Sequence, residues 1–272
     1  MKKGIVLLSL LVGGGVFAQQ GTVKVGAVLL PQSTWLLNQD DSDAGPELDY
    51  VSTWGFAGGL TLGYNFTDYV GLGLDVLYSR QGQKYKGRES NTDLNAQTTL
   101  NYLKLPLLLR FNSDPNSAVQ FSFFMGPQLN LLMSYKEKAT FSSGSTVLDV
   151  EVSGTKYVLT TNIPPSLSIR SEEDLTAPIY TSTNFGAAVG LGVGIKLTDE
   201  LLLSLHFRGD YSFGDVENKD AELPHGNHSH PYWEQKPKYN SVSHGSSEEK
   251  RPATSAITGG LMLGITYNIP VR

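Results

Sequence analysis

The sequence has no cysteine among its 272 residues, and only 17% of its residues are charged. Without cysteine there is no disulfide framework, no thiolate metal site and no lipid-anchored cysteine. Beyond the N-terminal segment no run of 18 apolar residues occurs, which excludes a membrane-spanning helix. A phosphate-binding loop, a nucleophile elbow and an HExxH motif are also missing. The main remaining signal is the order of apolar and polar side chains along the chain.

The first 18 residues are typical of a secretory signal peptide. Lys2 and Lys3 form a basic start, residues 5–12 are apolar, and residues 16–18 form a small-residue cleavage site. The mature chain is therefore predicted to be one domain over residues 19–272. Without the two lysines it has 19 basic and 26 acidic residues, a formal charge of 19 − 26 = −7. Such a chain has no general attraction to nucleic acid, and export without disulfides fits a bacterial envelope protein.

Apolar and polar side chains alternate with a period of two through most of the mature chain. The segment "LLLSLHFRGDYSFG" (Leu201–Gly214) is the clearest case, because polar residues occupy every second position from Ser204 to Asp210. A period of two predicts β-strands, and no segment has a helical period. The chain is therefore predicted to be all-β. Eight strands are predicted, at roughly 22–30, 54–66, 70–82, 98–112, 118–133, 182–197, 201–214 and 256–269.

Short and long connections alternate between these strands. The short links are hairpin turns rich in turn-forming residues, at 67–69, 113–117 and 198–200. The long links are predicted to be surface loops, at about 31–53, 83–97, 134–181 and 215–255. Within the third, the alternation of "STVLDVEVSGTKYVLTT" (Ser145–Thr161) predicts a hairpin that extends above a membrane. One end of the structure is therefore short and the other elaborate.

The turn positions predict which residues face each other. A third turn centred on Asp199 sets Ser204, His206 and Arg208 opposite Gly194, Gly192 and Gly190, respectively. A first turn centred on Asp68 sets Asp75 opposite Thr61. A second centred on Pro115 sets Lys104 opposite Gly126 and Arg110 opposite Gln120. Polar faces meet polar faces across all three turns, as a correct strand assignment requires.

Two prolines fall inside the predicted strands, Pro106 in the fourth and Pro127 in the fifth. Each removes a hydrogen-bond donor from the sheet, and proline within a sheet normally marks an edge or a bulge. A closed barrel has no edge. A local bulge is therefore expected where the fourth and fifth strands pair.

The non-apolar face of the strands is dominated by Gly, Ala, Ser, Thr and Asn, with few of the Lys and Glu residues that solvent-facing strands carry. Small residues beside a few long ones are what the interior of a small barrel needs. Aromatic residues gather near both ends of the strands, as in the girdles of membrane barrels. The prediction is an eight-stranded antiparallel up-and-down transmembrane β-barrel whose lumen is filled by side chains, so an open pore is not expected.

Three segments resemble a known family: "NYLKLPLLLRF" (Asn101–Phe111), "FMGPQLNLL" (Phe124–Leu132) and "NFGAAVGLGVGIKL" (Asn184–Leu197). They resemble the PorT-like outer-membrane β-barrel proteins of Bacteroidetes, most specifically in the Tyr-Leu-Lys-Leu-Pro strand and the Gly-Pro after it. The resemblance implies an OmpA/OmpX-like barrel with periplasmic turns and extracellular loops, and a link to type IX secretion. The chain departs from barrels of this kind at its end, where it continues past Tyr267 to Arg272 instead of finishing on an aromatic residue.

Nine residues are predicted to form a polar network in the lumen: Lys24, Asp75, Lys104, Arg110, Lys196, Ser204, His206, Arg208 and Asp210. Charges of both signs in a low-dielectric interior must be paired, which favours ion pairs and hydrogen bonds. A catalytic row of Ser, His and Asp is the alternative. Residues i and i+2 of a strand lie about 6.5 Å apart, which is too far for Ser204 to bond His206 directly.

The long loops contain two further candidate sites. His225, His228 and His230, with His244 later in the same loop, form a cluster that could hold zinc or copper, although no second-shell pattern accompanies it. The first loop has an acidic patch without the spacing of a calcium-binding loop, formed by Asp40, Asp41, Asp43, Glu47 and Asp49. It is interpreted as a solvated tip, with weak divalent-cation contact near lipopolysaccharide as the alternative.

The resulting prediction is a non-enzymatic outer-membrane barrel without a cofactor. Its surface loops would act in partner binding, adhesion or envelope integrity, and its contacts would be outer-membrane lipid, lipopolysaccharide and a protein partner. Two alternatives stay open. One is an accessory role in type IX secretion, which only the resemblance implies. The other is a lipid-modifying hydrolase that uses Ser204.

Overall fold

The structure, a computed structural model, describes residues 21–43, 49–89, 91–163, 167–175, 177–218 and 252–270. Over these residues the chain forms twelve strands and one short helix. The strands are β1 (Thr22–Leu37), β2 (Asp49–Val51), β3 (Thr53–Asn65), β4 (Val70–Glu89), β5 (Thr92–Asn112), β6 (Val119–Ser143), β7 (Thr146–Ser153), β8 (Lys156–Ile163), β9 (Leu167–Asp174), β10 (Thr183–Lys196), β11 (Leu201–Ser212) and β12 (Ser255–Pro270), and the helix is α1 (Gln39–Asp43). Among the helices of this described part, none is long and apolar enough to cross a membrane.

Eight strands close into a barrel. Every neighbouring pair is antiparallel, in the order β10, β11, β12, β1, β3, β4, β5 and β6, and β6 pairs back to β10. A path of paired residues that leaves β3 at Tyr64 passes once around the barrel and returns to β3 at Trp54, ten residues away. This stagger tilts the strands, as closure of a barrel requires. The predicted fold class, an all-β antiparallel barrel of eight strands, is confirmed.

The three short turns lie at one end of the barrel, which we call the turn end. At the opposite end, the strands continue past their predicted limits. The pairing of β4 with β5 runs from Val70 and Phe111 up to Glu89 and Thr92, so most of the predicted loop 83–97 is a hairpin of two regular strands. The predicted loop 31–53 is shortened in the same way, because β1 reaches Leu37. In the β4–β5 hairpin the alternation of side chains continues, but with the apolar residues on the other face.

The register confirms the predictions at two turns and corrects them at the third. Ser204, His206 and Arg208 lie opposite Gly194, Gly192 and Gly190, and Asp75 lies opposite Thr61. The predictions at the second turn are wrong, because Lys104 pairs with Asn130 and Arg110 with Phe124. There the amide of Ser113 donates to the carbonyl of Phe121 at 2.8 Å, which centres the hairpin on Ser117 instead of Pro115. The resulting shift of four residues is even, so each side chain stays on its predicted face.

The expected bulge between the fourth and fifth barrel strands is present, but away from the prolines. It falls where Asn101 pairs with Ser134 and Tyr102 with Leu132, so that Met133 is the additional residue. Around Pro106 the β4–β5 register is the same on both sides, since Leu74 pairs with Leu107 and Leu77 with Lys104. The proline therefore interrupts the ladder locally without shifting it.

Beyond the barrel, the sheet continues into a second region that we call the extension. It consists of β2, β7, β8 and β9 and of the parts of β4, β5 and β6 that lie farther from the turn end than Arg80, Asn101 and Ser134. These strands pair in the order β4 to β9, and β2 pairs with β4. The predicted hairpin in Ser145–Thr161 is confirmed as β7 and β8. Gly144 and Gly154 take positive φ values of 58° and 62° at the two hairpin tips, a conformation that favours glycine.

The two regions have separate apolar clusters. The barrel encloses a small one, formed by Leu30, Ala57, Leu108, Phe124, Ala188 and Met262. The extension has a larger one, which includes Leu94, Leu100, Tyr102, Tyr135, Phe141, Val150 and Val152. Leu36 of β1 and Ala256 of β12 belong to this larger cluster. It therefore reaches from the extension across to the opposite wall, over the mouth of the barrel.

Candidate functional site

The outer face of the barrel is apolar. Leu203, Leu205 and Phe207 are 42%, 42% and 57% exposed, while Arg208 on the opposite face is fully buried. Exposed aromatic rings collect at both ends of this apolar face. Those at the turn end are Tyr64, Phe66, Tyr69, Phe111, Phe121 and Tyr267, and those towards the extension are Trp54, Phe56, Tyr78, Phe185, Tyr211 and Phe213. The arrangement matches the apolar band and aromatic girdles of a barrel that spans a membrane.

Arg208 on β11 is the centre of the lumen network. Its Nη1 lies 3.1 Å from Oδ2 of Asp75 on β4, across the barrel, and its Nε lies 2.9 Å from Oδ1 of Asp210. Its Nη2 donates to Oε1 of Gln128 at 3.0 Å. The guanidinium carbon also lies 6.0 Å from the centre of the Phe124 ring. One side chain thus links β11 to β4 and β6 through the interior.

Each of the two aspartates has a second cation. Nη2 of Arg110 lies 2.7 Å from Oδ1 of Asp75, and the Thr61 hydroxyl donates to the same oxygen at 2.7 Å. Nζ of Lys104 lies 2.9 Å from Oδ2 of Asp210, which also accepts from the Thr258 hydroxyl at 3.1 Å. Burial makes an unpaired carboxylate very unfavourable, and every carboxylate oxygen here has at least one donor. The network is a connected set of charge-assisted hydrogen bonds that joins opposite walls.

The structure brings together five of the nine predicted lumen residues: Asp75, Lys104, Arg110, Arg208 and Asp210. Lys24 and Lys196 are half-buried near the turn end, and among the described residues neither has an ion pair or a side-chain hydrogen bond. The described charged residues lining the barrel lumen are five cations and two carboxylates. The lumen therefore has an excess of positive charge, concentrated at its turn end.

Ser204 and His206 have different hydrogen-bond partners. The Ser204 hydroxyl lies 3.4 Å from the carbonyl oxygen of Gly264, and Nε2 of His206 contacts the hydroxyl of Ser122 at 2.7 Å. Nδ1 of His206 has no hydrogen-bond partner among the described residues. A Ser–His pair used for nucleophilic catalysis normally has a third group that orients the imidazole. Sequence reasoning missed Ser122, which lies beside His206 because Gly192 of β10 pairs with both residues.

The loop candidates have different outcomes. His225, His228, His230 and His244 lie outside the described residues. In the acidic patch, Asp41 is buried and accepts a hydrogen bond from the Tyr85 hydroxyl at 3.2 Å, so this residue is not part of a solvated tip. Across the described ranges there is no group of three or more His, Cys, Asp or Glu side chains placed to hold a metal ion.

The extension presents a polar outer surface, in segments that the sequence predicts as surface loops with one hairpin. The outward residues of β5 change from Leu103 and Leu105 in the barrel to Thr99 and Gln97 above it, while Leu100 and Tyr102 point inward. The signal was present in the sequence. In the barrel part of β5, from Leu103 to Phe111, the outward-facing apolar residues occupy odd positions. In the extension part, from Leu94 to Tyr102, the apolar residues occupy even positions. This change of phase indicates a strand that passes from one environment into another.

Ion pairs cross the outer surface of the extension. Glu151 of β7 lies between Lys136 and Lys138 of β6, and these hydrogen bonds hold the pKa of its carboxyl below the ordinary value. On β8, Lys156 lies 2.9 Å from Asp174 and 3.4 Å from Glu172, and the contact with Asp174 raises the pKa of the lysine. All of these side chains are well exposed. They favour the paired strands only weakly.

The inner face of the extension runs from its core to an exposed apolar edge. Burial raises the pKa of Tyr157, on the inner face of β8, to about 12. Further along the same face Ile163, Leu167 and Ile169 are 40%, 57% and 54% exposed. Within the described residues, β9 pairs on one side only, with β8. This strand offers exposed backbone groups next to exposed apolar side chains, a combination suited to binding an extended segment.

Comparison with known families matches residues 17–218 to the family described as "Outer membrane protein beta-barrel domain". This range is more than half of the chain and includes all the described strands up to β11. No curated protein sequence matches the chain.

Several solved structures are similar to the chain at low sequence identity. Neisserial surface protein A (NspA) is 15% identical, with a TM-score of 0.39 over 91% of this chain and 97% of that protein. OprG from Pseudomonas aeruginosa is 13% identical, with a TM-score of 0.37 over 93% and 96%. Ail, the attachment invasion locus protein of Yersinia pestis, solved with the heparin analogue sucrose octasulfate, is 11% identical, with a TM-score of 0.33 over 92% and 100%.

Proposed function

The chain belongs to the outer membrane protein β-barrel family and is an outer-membrane protein, and we propose that it is a non-enzymatic display protein. In this proposal the barrel anchors the chain in the membrane, and the extension outside the cell binds a partner or an adjacent surface. Ail, to which the chain is similar in fold, was solved with a bound heparin analogue.

The observation that carries the proposal is the reversal of the side-chain pattern at the boundary between the two regions. The same strands are apolar outside in the barrel and polar outside in the extension, with an apolar core behind the polar surface. A strand needs the first pattern in lipid and the second in water. The extension is therefore built as a folded, water-facing body, which can hold a binding surface in a fixed shape.

Conduction and catalysis are supported less well. The network around Arg208 fills the middle of the lumen, and the extension core lies over its mouth. Purified protein in planar bilayers is expected to show no stepwise conductance. For catalysis, we expect no deacylation of phospholipid or lipid A in detergent. Activity that a Ser122→Ala or a Ser204→Ala variant abolished would support the hydrolase alternative instead.

The orientation is tested by labelling single introduced cysteines, since the chain has no cysteine of its own. The two substitutions are Gln97→Cys and Asp199→Cys. Gln97 lies on the outer face of the extension, and Asp199 lies in the turn between β10 and β11. In intact cells a membrane-impermeant maleimide should label the first and not the second, whereas after lysis it should label both. Labelling of Asp199→Cys alone in intact cells would contradict the proposal.

Binding is tested by photo-crosslinking in intact cells that carry the partner surface. A photoreactive residue is placed at Gln97, Lys138 or Ile169 in the extension, and at Leu205 or Leu263 on the outer face of the barrel as matched controls. Protein or polysaccharide adducts are expected from the extension positions and lipid adducts from the barrel positions. If the extension positions yield no adduct while the controls crosslink to lipid, the binding role is wrong.

The finer assignments from the sequence are part of the proposal. Residues 1–18 are proposed to be removed as a signal peptide, which N-terminal sequencing of the mature protein would test. The PorT-like subfamily and its link to type IX secretion rest on the resemblance alone. Normal cargo export in a deletion strain would contradict the secretion role.

A further inference from the structure

The turn end of the barrel lumen contains more cations and hydrogen-bond donors than the carboxylates of the network can pair. Lys24 and Arg110 converge over Gly63, because a methyl group at that glycine would lie 3.5 Å from Cβ of Lys24 and 3.9 Å from Nη1 of Arg110. Lys196 lies at the same end, where its amide donates to the carbonyl of Ala118 in the second turn at 3.1 Å. Three cationic side chains from β1, β5 and β10 thus face one end of the lumen.

The two lumen carboxylates do not balance this charge. Asp75 is shared by Arg110 and Arg208, and Asp210 is shared by Lys104 and Arg208. No described carboxylate lies within ion-pair distance of Lys24 or Lys196. Positive charge held together in a partly buried site attracts a negative ligand, since repulsion between the cations is relieved when an anion binds.

Unused donors point to the same place. Nε of Arg110 and Nδ2 of Asn112 are buried and have no hydrogen-bond partner among the described residues, and the same is true of Nδ1 of His206. When the Ser122 hydroxyl donates to Nε2 of His206, Nδ1 carries the proton and is a third donor. Buried donors without partners are rare in folded proteins and commonly indicate an unassigned ligand or water.

We propose that the turn end of the lumen binds a phosphate group between Lys24, Arg110 and Lys196. A phosphate oxyanion fits this set, because it combines up to two negative charges with several acceptor oxygens and can accept from lysine and guanidinium groups together. The site is separate from the extension, so it does not depend on the proposed display function. The phosphate could be free in the periplasm or belong to an anionic lipid headgroup at the barrel rim.

The test uses the full mature chain refolded in octyl glucoside micelles, which contain no phosphate. Inorganic phosphate is titrated by calorimetry, and the ring resonances of His206 are followed by NMR in the same series. Saturable binding with one site per chain is expected, with a shift at His206 that has the same midpoint. Binding should weaken at least tenfold in a Lys24→Gln/Lys196→Gln variant, which removes no hydrogen bond of the central network.

The matched control is Lys136→Gln/Lys138→Gln, which removes two lysines from the extension and should bind phosphate as the unmodified chain does. A second series replaces inorganic phosphate with phosphatidylglycerol added to the micelles. A His206 shift only in this series assigns the phosphate to a lipid headgroup and supports the site. Absence of a saturable response in both series, or equal binding by the Lys24→Gln/Lys196→Gln variant, overturns the proposal.

Discussion

The barrel and the extension share three long strands, yet they are inside out with respect to each other. In the barrel, β4, β5 and β6 place apolar side chains outside and ionic groups inside. In the extension they place Leu100, Tyr102 and Phe141 inside and lysines and amides outside. The surroundings of a sheet therefore decide which of its faces is apolar. A single strand can have its apolar face outside where it is in lipid and inside where it is in water.

The strands achieve the reversal in two different ways. In β5 the sequence itself changes phase, so that Tyr102 and Leu103 are adjacent apolar residues on opposite faces. In β6 apolar residues stay mainly at odd positions, from Phe121 to Phe141, and the bulge at Met133 moves the odd positions from the outer to the inner face. The bulge is therefore the structural counterpart of the phase change in the neighbouring strand.

The sharpest way to break this arrangement is to delete one residue from either strand. Deletion of Leu103 should turn the upper half of β5 over and expose Leu94, Leu100 and Tyr102, at about 1.5–3 kcal/mol for each side chain, so the extension should unfold while the barrel stays folded. Deletion of Met133 should be tolerated, because it only removes the bulge. Trypsin cleavage after Lys136 and Lys138 measures the difference, and equal cleavage of the two variants would refute the explanation.

Removal of the central cation tests the ionic interior of the barrel. Arg208→Met should lower the free energy of unfolding by about 3–5 kcal/mol, because Asp75 and Asp210 each lose one of their two cations in a buried site. Urea unfolding in lipid vesicles, followed by tryptophan fluorescence, measures the change. Arg170→Met on the exposed strand β9 is the control, with an expected change below about 1 kcal/mol. A similar loss in both variants would mean that the network contributes little.

A charge on the outer face should distinguish the two surroundings directly. Leu205→Arg places a cation in the apolar band and should cost about 2–4 kcal/mol. Gln97→Arg places the same cation on the outer face of the extension and should change stability by no more than about 0.5 kcal/mol. Both are measured by unfolding in the same vesicles. If Gln97→Arg is as costly as Leu205→Arg, the extension is not in water.

The smallest expected effect is that of pH on the outer ion pairs of the extension. Lys136 and Lys138 depress the pKa of Glu151. The ion pairs of this carboxylate therefore stabilise the extension above the ordinary carboxyl pKa, and this stabilisation is lost as the pH falls through the depressed value. The carboxylate is exposed, and Glu151→Gln should cost less than about 1 kcal/mol at pH 7. Hydrogen exchange of the β7 amides measures this difference in stability. The variant and the unmodified chain should have equal exchange rates below the depressed pKa.

Much of the barrel could be predicted from local patterns. Eight strands, two of the three turn registers and the inward position of Arg208 follow from a period of two and from turn residues such as Asp68 and Asp199. The second turn misled the register, because Pro115 marks the turn but not its centre, which the hydrogen bond between Ser113 and Phe121 sets. Outside the predicted hairpin the sequence predicts the extension as surface loops, because its apolar residues lie on the face that is polar in the barrel.

The partners in the lumen could not be predicted in the same way. Ser122 meets His206 and Gln128 meets Arg208 only because closure of the barrel pairs β10 with both β6 and β11. No local pattern states which of several polar side chains will be within hydrogen-bonding distance across a lumen. That information depends on the number of strands and on their stagger.

The sequence by itself determined that the chain is an all-β protein of two-faced strands, because alternation and turn residues act over a few neighbouring positions. It also determined which residues share a face, since parity along a strand survives even a register error of four residues. The tertiary structure alone decided which face is buried in the barrel and in the extension, and which charged side chains form ion pairs. Burial and ion pairing depend on closure of the barrel and on the extension sheet that crosses its mouth, and both bring together residues far apart in the chain.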